Sequence, residues 1–216
     1  VQPAQLRTAR LQPNGPAPIW VAAGGARTLR AAGRVADGVF IRVGPHPGNI
    51  RRAVDAVHAG AVDAGRRPSE VHLGLVLHTI LMENGARAIQ LGKSMAAGYY
   101  EYAPYLFDAP GLRWDGPPVE ELREHVWPDF HHAPDLDAAA QHVDFLPQEA
   151  ADAFSLHGNA AAIAHQLQAV LNLDIDFDIV VPHPVPPPPT PQAATDADPT
   201  YMQQLISDVR PRLRSS

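Results

Sequence analysis

Gly24, Gly25, Arg27 and Thr28 are nearly contiguous, between an apolar run ending at Ala23 and an amphipathic segment. If the run is a strand and the segment a helix, the first-turn amides have no intrahelical acceptor and the peptide dipoles leave partial positive charge there. Two residues without Cβ let an anion reach those amides, Ala23 backs the turn, Arg27 adds a charge-assisted bond and Thr28 a hydroxyl. The chemistry this predicts is phosphate binding. A tight turn beside a solvated Arg27 would use the same residues.

Other chemistry-bearing residues are less constrained. His78 ends the run "EVHLGLVLHTIL", where a barrel would place its active face; a satisfied core histidine is the competing role. His131 and His132 with Asp135, and His183 between prolines, lack one-face helical spacing such as H-E-x-x-H, so they read as solvated or capping groups and no metal is assigned. Glu120, Glu121 and Glu124 around Arg123 read as a solvated helix face. Ser69 and Ser155 lack a nucleophile elbow. The run "NLDIDFDIV" lacks a calcium loop's glycine and closing glutamate. No catalytic residue is assigned.

The elements that must position these groups follow from periodicity. "APIWVAA" reads as a strand buried on both faces, with Trp20 in the core. "ARTLRAAGRVA" carries Leu29, Ala32, Gly33 and Ala36 at helical spacing, and "DGVFIRV" is a second strand. Ile50, Val54, Val57 and Ala61 form the next helical stripe, with Asn49 as its expected N-cap and Gly65 near its stop. A third strand precedes a helix from about Asn84 to Tyr102. Residues 103–147 read as an irregular insertion with short helices. Ile163, Leu167, Val170 and Leu171 mark a helix behind Gly158 and Asn159, and "FDIVVPHP" is a fourth strand. Residues 182–199 read as a proline-rich linker, and 200–213 as a terminal helix with Met202, Leu205, Ile206 and Val209 on one face. Strands alternating with helices imply a parallel sheet in an α/β fold, doubly wound or part of a barrel.

Composition bounds the partners. The 216 residues carry 17 basic and 23 acidic groups, a net charge of -6 with no basic run, so neither nucleic acid nor an anionic membrane is an expected partner; a small molecule is. The absence of cysteine removes disulfides and thiolate chemistry and is compatible with a cytoplasmic location. No apolar run approaches the roughly 20 residues that cross a bilayer.

The segment "PIWVAAGGARTLRAAGRVADGVFI" resembles the middle of the luciferase-like monooxygenases, the family of bacterial luciferase and of coenzyme F420-dependent oxidoreductases. "GNIRRAVDAVHAGAVDAGRRPSEVHLGLVLHTIL", "ADAFSLHGNAAAIAHQLQAVLNLDIDFDIVV" and "YMQQLISDVRPRL" resemble the later elements of that family in the right order. The resemblance implies one domain over 1–216 forming the second half of a TIM-type barrel, and an oxidoreductase moving a hydride between a deazaflavin (coenzyme F420), or a flavin such as FMN, and an organic substrate. It also implies that Gly24, Gly25, Arg27 and Thr28 hold the phosphate-bearing tail and that Arg42 lies near the substrate; Ala23 beside the turn is a further cofactor-binding candidate, and His78, from its place at the strand end, a further substrate-binding one. The family's redox-proximal residues fall on strands that would precede Val1, so the chain is expected to be N-terminally truncated or to form a homodimer. A barrel binding a phosphorylated metabolite for lyase or isomerase work, and a non-catalytic half-barrel, are the alternatives.

Overall fold

The stripes read from the sequence are buried: Leu29, Ala32 and Gly33 on one helix, and Ile50, Val54, Val57 and Ala61 on the next. The computed structural model describes residues 17–185 and 199–213. In chain order the main elements are β1 (Trp20–Ala23), α1 (Ala26–Val35), β2 (Gly38–Ile41), α2 (Pro47–Asp63), β3 (His72–Leu81) and α3 (Gly85–Tyr102). The short helices α4 (Val119–Leu122), α5 (Leu136–Gln141) and α6 (Gln148–Phe154) follow, then β4 (Leu156–Gly158), α7 (Ala160–Leu171), β5 (Ile179–Pro184) and α8 (Pro199–Gln204). Helices α1 and α2 touch backbone to backbone. A Cβ on Gly33 would stand 2.0 Å from the Val57 carbonyl oxygen, and one on Gly60 2.0 Å from that of Arg30.

All strand pairs are parallel, as helical crossovers require. Gly74 and Leu75 pair with both β2 and β5, and Thr79 with both β4 and β5. Therefore β2 and β4 share one edge of the long β3, and β5 takes the other. One sheet face is fully covered, with Val39, Ile41, Leu75 and Leu77 at 0% exposure. On the other face Trp20, Phe40 and Val76 are half-buried, whereas Ala22 and Ile179 are exposed. Trp20 therefore lies outside the sealed core, tilted against Phe40 with ring centroids 4.7 Å apart.

Several expectations are corrected. The first strand is not buried on both faces, because β1 has β2 as its sole strand neighbour among the described residues. Asn49 does not cap α2; His46 is the N-cap residue and Pro47 begins the helix, where a missing N–H costs nothing. Asn49 is buried instead, and its Nδ2 donates to the Leu106 carbonyl at 2.9 Å. Among the described residues the sheet has five strands rather than four, since β4 is too short to show a period. His183 belongs to β5, so residues 182–184 are strand; residues 186–198 of the expected proline-rich linker lie outside the described residues. Near the end of the chain Leu205 and Val209 are buried, but Met202, still in α geometry, is exposed, and so is Ile206, where the helix has passed to π geometry at Leu205.

Helix α3 holds the segment between itself and α6 through apolar packing, Leu91 and Met95 clustering with Leu136, and through polar ties. Arg87 makes a bidentate pair with Asp137, 2.8 Å at each oxygen. Gln90 Nε2 donates to the Ala140 carbonyl, Ser94 Oγ to that of Phe130, and Glu101 pairs with Arg123. Arg123 is thus drawn to α3 rather than to the exposed Glu120, Glu121 and Glu124. These ties bring residues 99–132 over the C-terminal ends of the strands.

Candidate functional site

The two glycines have different reasons to be there. A Cβ on Gly24 would stand 2.5 Å from the Arg42 carbonyl oxygen, so that position is set by the approach of the chain leaving β2. Gly25 has a φ of -78° and is the N-cap residue of α1 without a side-chain cap. A Cβ there would meet nothing nearer than Thr28 Oγ1 at 3.8 Å. Neither conformation nor packing requires glycine at 25, and the omitted side chain leaves room before the helix N-terminus. One amide of that terminus is engaged: Ala26 N–H donates to Tyr105 Oη at 3.0 Å, and the same hydroxyl donates to the Gly24 carbonyl at 3.0 Å.

Gly24, Gly25 and Arg42 open onto one cleft of about 260 Å³, walled by Tyr99, Tyr102, His131 and His132. Ala23 is buried behind it, its carbonyl accepting from Arg42 N at 2.9 Å. Arg27 and Thr28 are exposed on the first turn of α1, at the rim rather than in the lining. His78 is 4% exposed, directly beneath Arg42. A larger cleft of about 790 Å³ opens at the opposite ends of β3 and β5, beside His72 and Asp178. There Asp178 of the acid-apolar run accepts from Leu73 N and binds His72 Nδ1, both at 2.8 Å. In parallel barrels the strand C-terminal ends carry the chemistry, so the smaller cleft is the candidate site.

The cleft rests on a histidine cluster. The His78 ring lies 4.6 Å from that of His131 and 5.5 Å from those of His183 and Tyr99. Burial first, then repulsion from a protonated His131 and the Arg42 charge, would oppose a proton on His78 and hold it well below the usual imidazole range. Burial holds His131 at about 4, and burial followed by the Arg42 charge lowers His183. These rings are neutral at pH 7. Burial also raises Tyr99 to about 12. His131 Nε2–H donates to the Met95 carbonyl at 2.9 Å, so His131 is a packed wall of the cleft and not the solvated group expected. His132 is exposed and pairs with Asp129 at 2.8 Å, while Asp135 caps α5. Among the described residues no group of His, Cys, Asp or Glu could hold a metal ion, and no helix is long and apolar enough to cross a membrane.

Sequence reasoning missed Tyr99, Tyr102 and Tyr105, and misplaced His131. No local signal marks them, since Tyr105 meets Gly24 across 81 positions. The donor set around the cleft is an exposed helix N-terminus, two arginines, a threonine hydroxyl and neutral imidazoles. That set fits an anionic group such as a phosphate.

Comparison with known proteins places this geometry in context. The chain is 49% identical over 53 residues to the phthiodiolone/phenolphthiodiolone dimycocerosates ketoreductase of Mycobacterium tuberculosis, covering 24% of this chain and 14% of that protein. It is 38% identical over 74 residues to the 5,10-methylenetetrahydromethanopterin reductase of Methanolobus tindarius, covering 34% and 22%. The fold superposes on the coenzyme F420-dependent tetrahydromethanopterin reductase of Methanopyrus kandleri with a TM-score of 0.64 and 19% identity, covering 91% of this chain and 51% of that one. On an F420-dependent secondary alcohol dehydrogenase the TM-score is 0.54 with 12% identity, covering 94% and 51%. The chain thus spans about half the length of those structures. The α/β fold is that of TIM-barrel luciferase-like enzymes. With residues 2–176 matching the luciferase-like monooxygenase family, the chain belongs to that family.

Proposed function

We propose that the chain is part of an oxidoreductase that moves a hydride between coenzyme F420 and an organic substrate, the turn at Gly24 and Gly25 holding the cofactor's phosphate-bearing tail. The observation that carries this reading is Gly25: a glycine demanded by neither φ nor packing, opening a helix N-terminus onto a cleft that Arg42 shares. The fold's likeness to two structures named as F420-dependent supports the choice of deazaflavin over FMN.

When bound, the deazaflavin supplies the hydride chemistry. The chain's own part is binding and orientation. The α1 amides, Arg27 and Thr28 hold an anion at the turn, Ala23 backs it, and Tyr105 braces the turn through Gly24 and Ala26. Arg42, above His78, faces the substrate side of the cleft. Titrating the purified chain with coenzyme F420, FMN and glucose 6-phosphate while following its melting temperature tests this, because a ligand bound to the folded state alone stabilises it by mass action. Stabilisation by F420, lost in Arg27→Gln, is the expected result. Stabilisation by the sugar phosphate alone would assign the turn to a phosphorylated metabolite, and no shift with any ligand would leave a non-catalytic half-barrel.

A further inference from the structure

Arg42 carries a charge that nothing among the described residues offsets. Its guanidinium is half-buried, and among the described residues no carboxylate lies within ion-pair distance; its single polar contact is His78 Nε2 at 3.4 Å. Arginine can only donate, so Nε2 accepts and the proton of the neutral ring is on Nδ1. That Nδ1 is itself buried without a partner. Every titratable neighbour that faces Arg42 is uncharged at pH 7 by its environment or exposed: His78 from β3, His183 from β5, Tyr99 from α3, and His131 and His132 from the segment after it. Asp129, an acid of that segment, is taken by His132 and by the Tyr102 hydroxyl at 2.9 Å. A cation held in a lining of neutral rings is an incomplete site whose missing member is negative.

We propose that Arg42, at the C-terminal end of β2 and flanked by His78 and His183, binds an oxyanion carried by the substrate, a carboxylate or phosphate. This rests on the oxidoreductase reading for the word substrate, though not for the site. The helix α1 terminus opens onto the same cleft through Gly24 and Gly25, with Arg27 and Thr28 outside the lining and Arg42 within it, so the two anion positions are distinguished by the two arginines. A substrate with an anionic group is thereby oriented from the sheet side, and an uncharged analogue of the same shape is rejected because Arg42 would be covered and left unpaired.

Sulfate tests the site without any cofactor, since it stays fully ionised across the working pH range. Sulfate titrations of the chain at constant ionic strength, read by calorimetry and melting temperature, are compared with Arg42→Gln, Arg42→Lys and Arg27→Gln. The expected result is two saturable sulfate sites, one weakened roughly ten- to hundredfold by Arg42→Gln and partly restored in Arg42→Lys, the other, at the α1 terminus, weakened by Arg27→Gln. No saturable binding, or binding indifferent to Arg42→Gln in a variant that melts cooperatively, overturns the proposal. A second arm titrates coenzyme F420: if Arg42→Gln weakens the cofactor as much as Arg27→Gln does, the anion belongs to the cofactor and the substrate assignment fails. Failure of F420 to bind any form removes the oxidoreductase reading and leaves the sulfate result standing.

Discussion

Arg42 Nη2 lies 3.4 Å from His78 Nε2, so the one cation in the cleft lining is held against a ring that must stay neutral to accept from it. Burial keeps His131 in the same state, with its value lowered to about 4.

That neutrality makes stability fall on the acid side. His131 takes up a proton near its ordinary 6.5 in the unfolded chain and near 4 in the folded one, so the unfolded state binds more protons between those values. Its contribution is complete above about pH 6.5 and lost as the pH falls toward 4. Over that window His131 alone accounts for about 3 kcal/mol. Urea unfolding at pH 7.5, 6, 5 and 4.5 is expected to show the loss, reduced in His131→Gln. Parallel curves for the two proteins would contradict it.

The two glycines separate in a substitution experiment. Gly24→Ala forces a Cβ to 2.5 Å from the Arg42 carbonyl oxygen and is expected to destabilise by about 1–3 kcal/mol. Gly25→Ala meets only Thr28 Oγ1, at an ordinary 3.8 Å, and leaves stability within about 1 kcal/mol of the parent, yet weakens coenzyme F420 because the methyl enters the space before the α1 amides. Denaturant midpoints report the first effect and ligand-induced melting shifts the second.

Tyr105→Phe removes the hydroxyl that accepts from Ala26 N–H and donates to the Gly24 carbonyl. A loss of about 1 kcal/mol is expected, since the pair is partly exposed and water replaces some of it. Amide hydrogen exchange at Ala26 should quicken in the variant; unchanged protection there would mean that the hydroxyl does not brace the turn.

Asn49→Ala leaves the Leu106 carbonyl, next to Tyr105, without its buried donor. The expected cost is about 1–3 kcal/mol, read from equilibrium unfolding. Asn49 also ties α2 to the 3-10 turn Pro104–Phe107, so the same variant should loosen Tyr105 from Gly24.

Much of the fold was legible because its signals are local. The stripe of α2 and the strand run 72–81 are properties of a few neighbouring side chains, and their alternation forces parallel pairing through crossovers. Errors fell where the signal was short or shared. β4 has three residues, too few for a period; Asn49 has capping chemistry but was needed inside the helix; Ile206 keeps its helical spacing only if the helix stays α. Asp178 shows the same limit: its alternation with apolar residues was visible, its grip on His72 was not.

The sequence alone determined the strand, turn and helix around Gly24 and Gly25, the exposed helix terminus, and the family likeness, because each is written within a short stretch of chain. Tertiary structure alone decided that Gly24 is set by Arg42 while Gly25 is free, that His78, His131 and His183 meet, and that Tyr105 reaches back across 81 residues to the turn. Those contacts depend on how α3 folds residues 99–132 over the strand ends, and packing between distant segments has no period for a local pattern to carry.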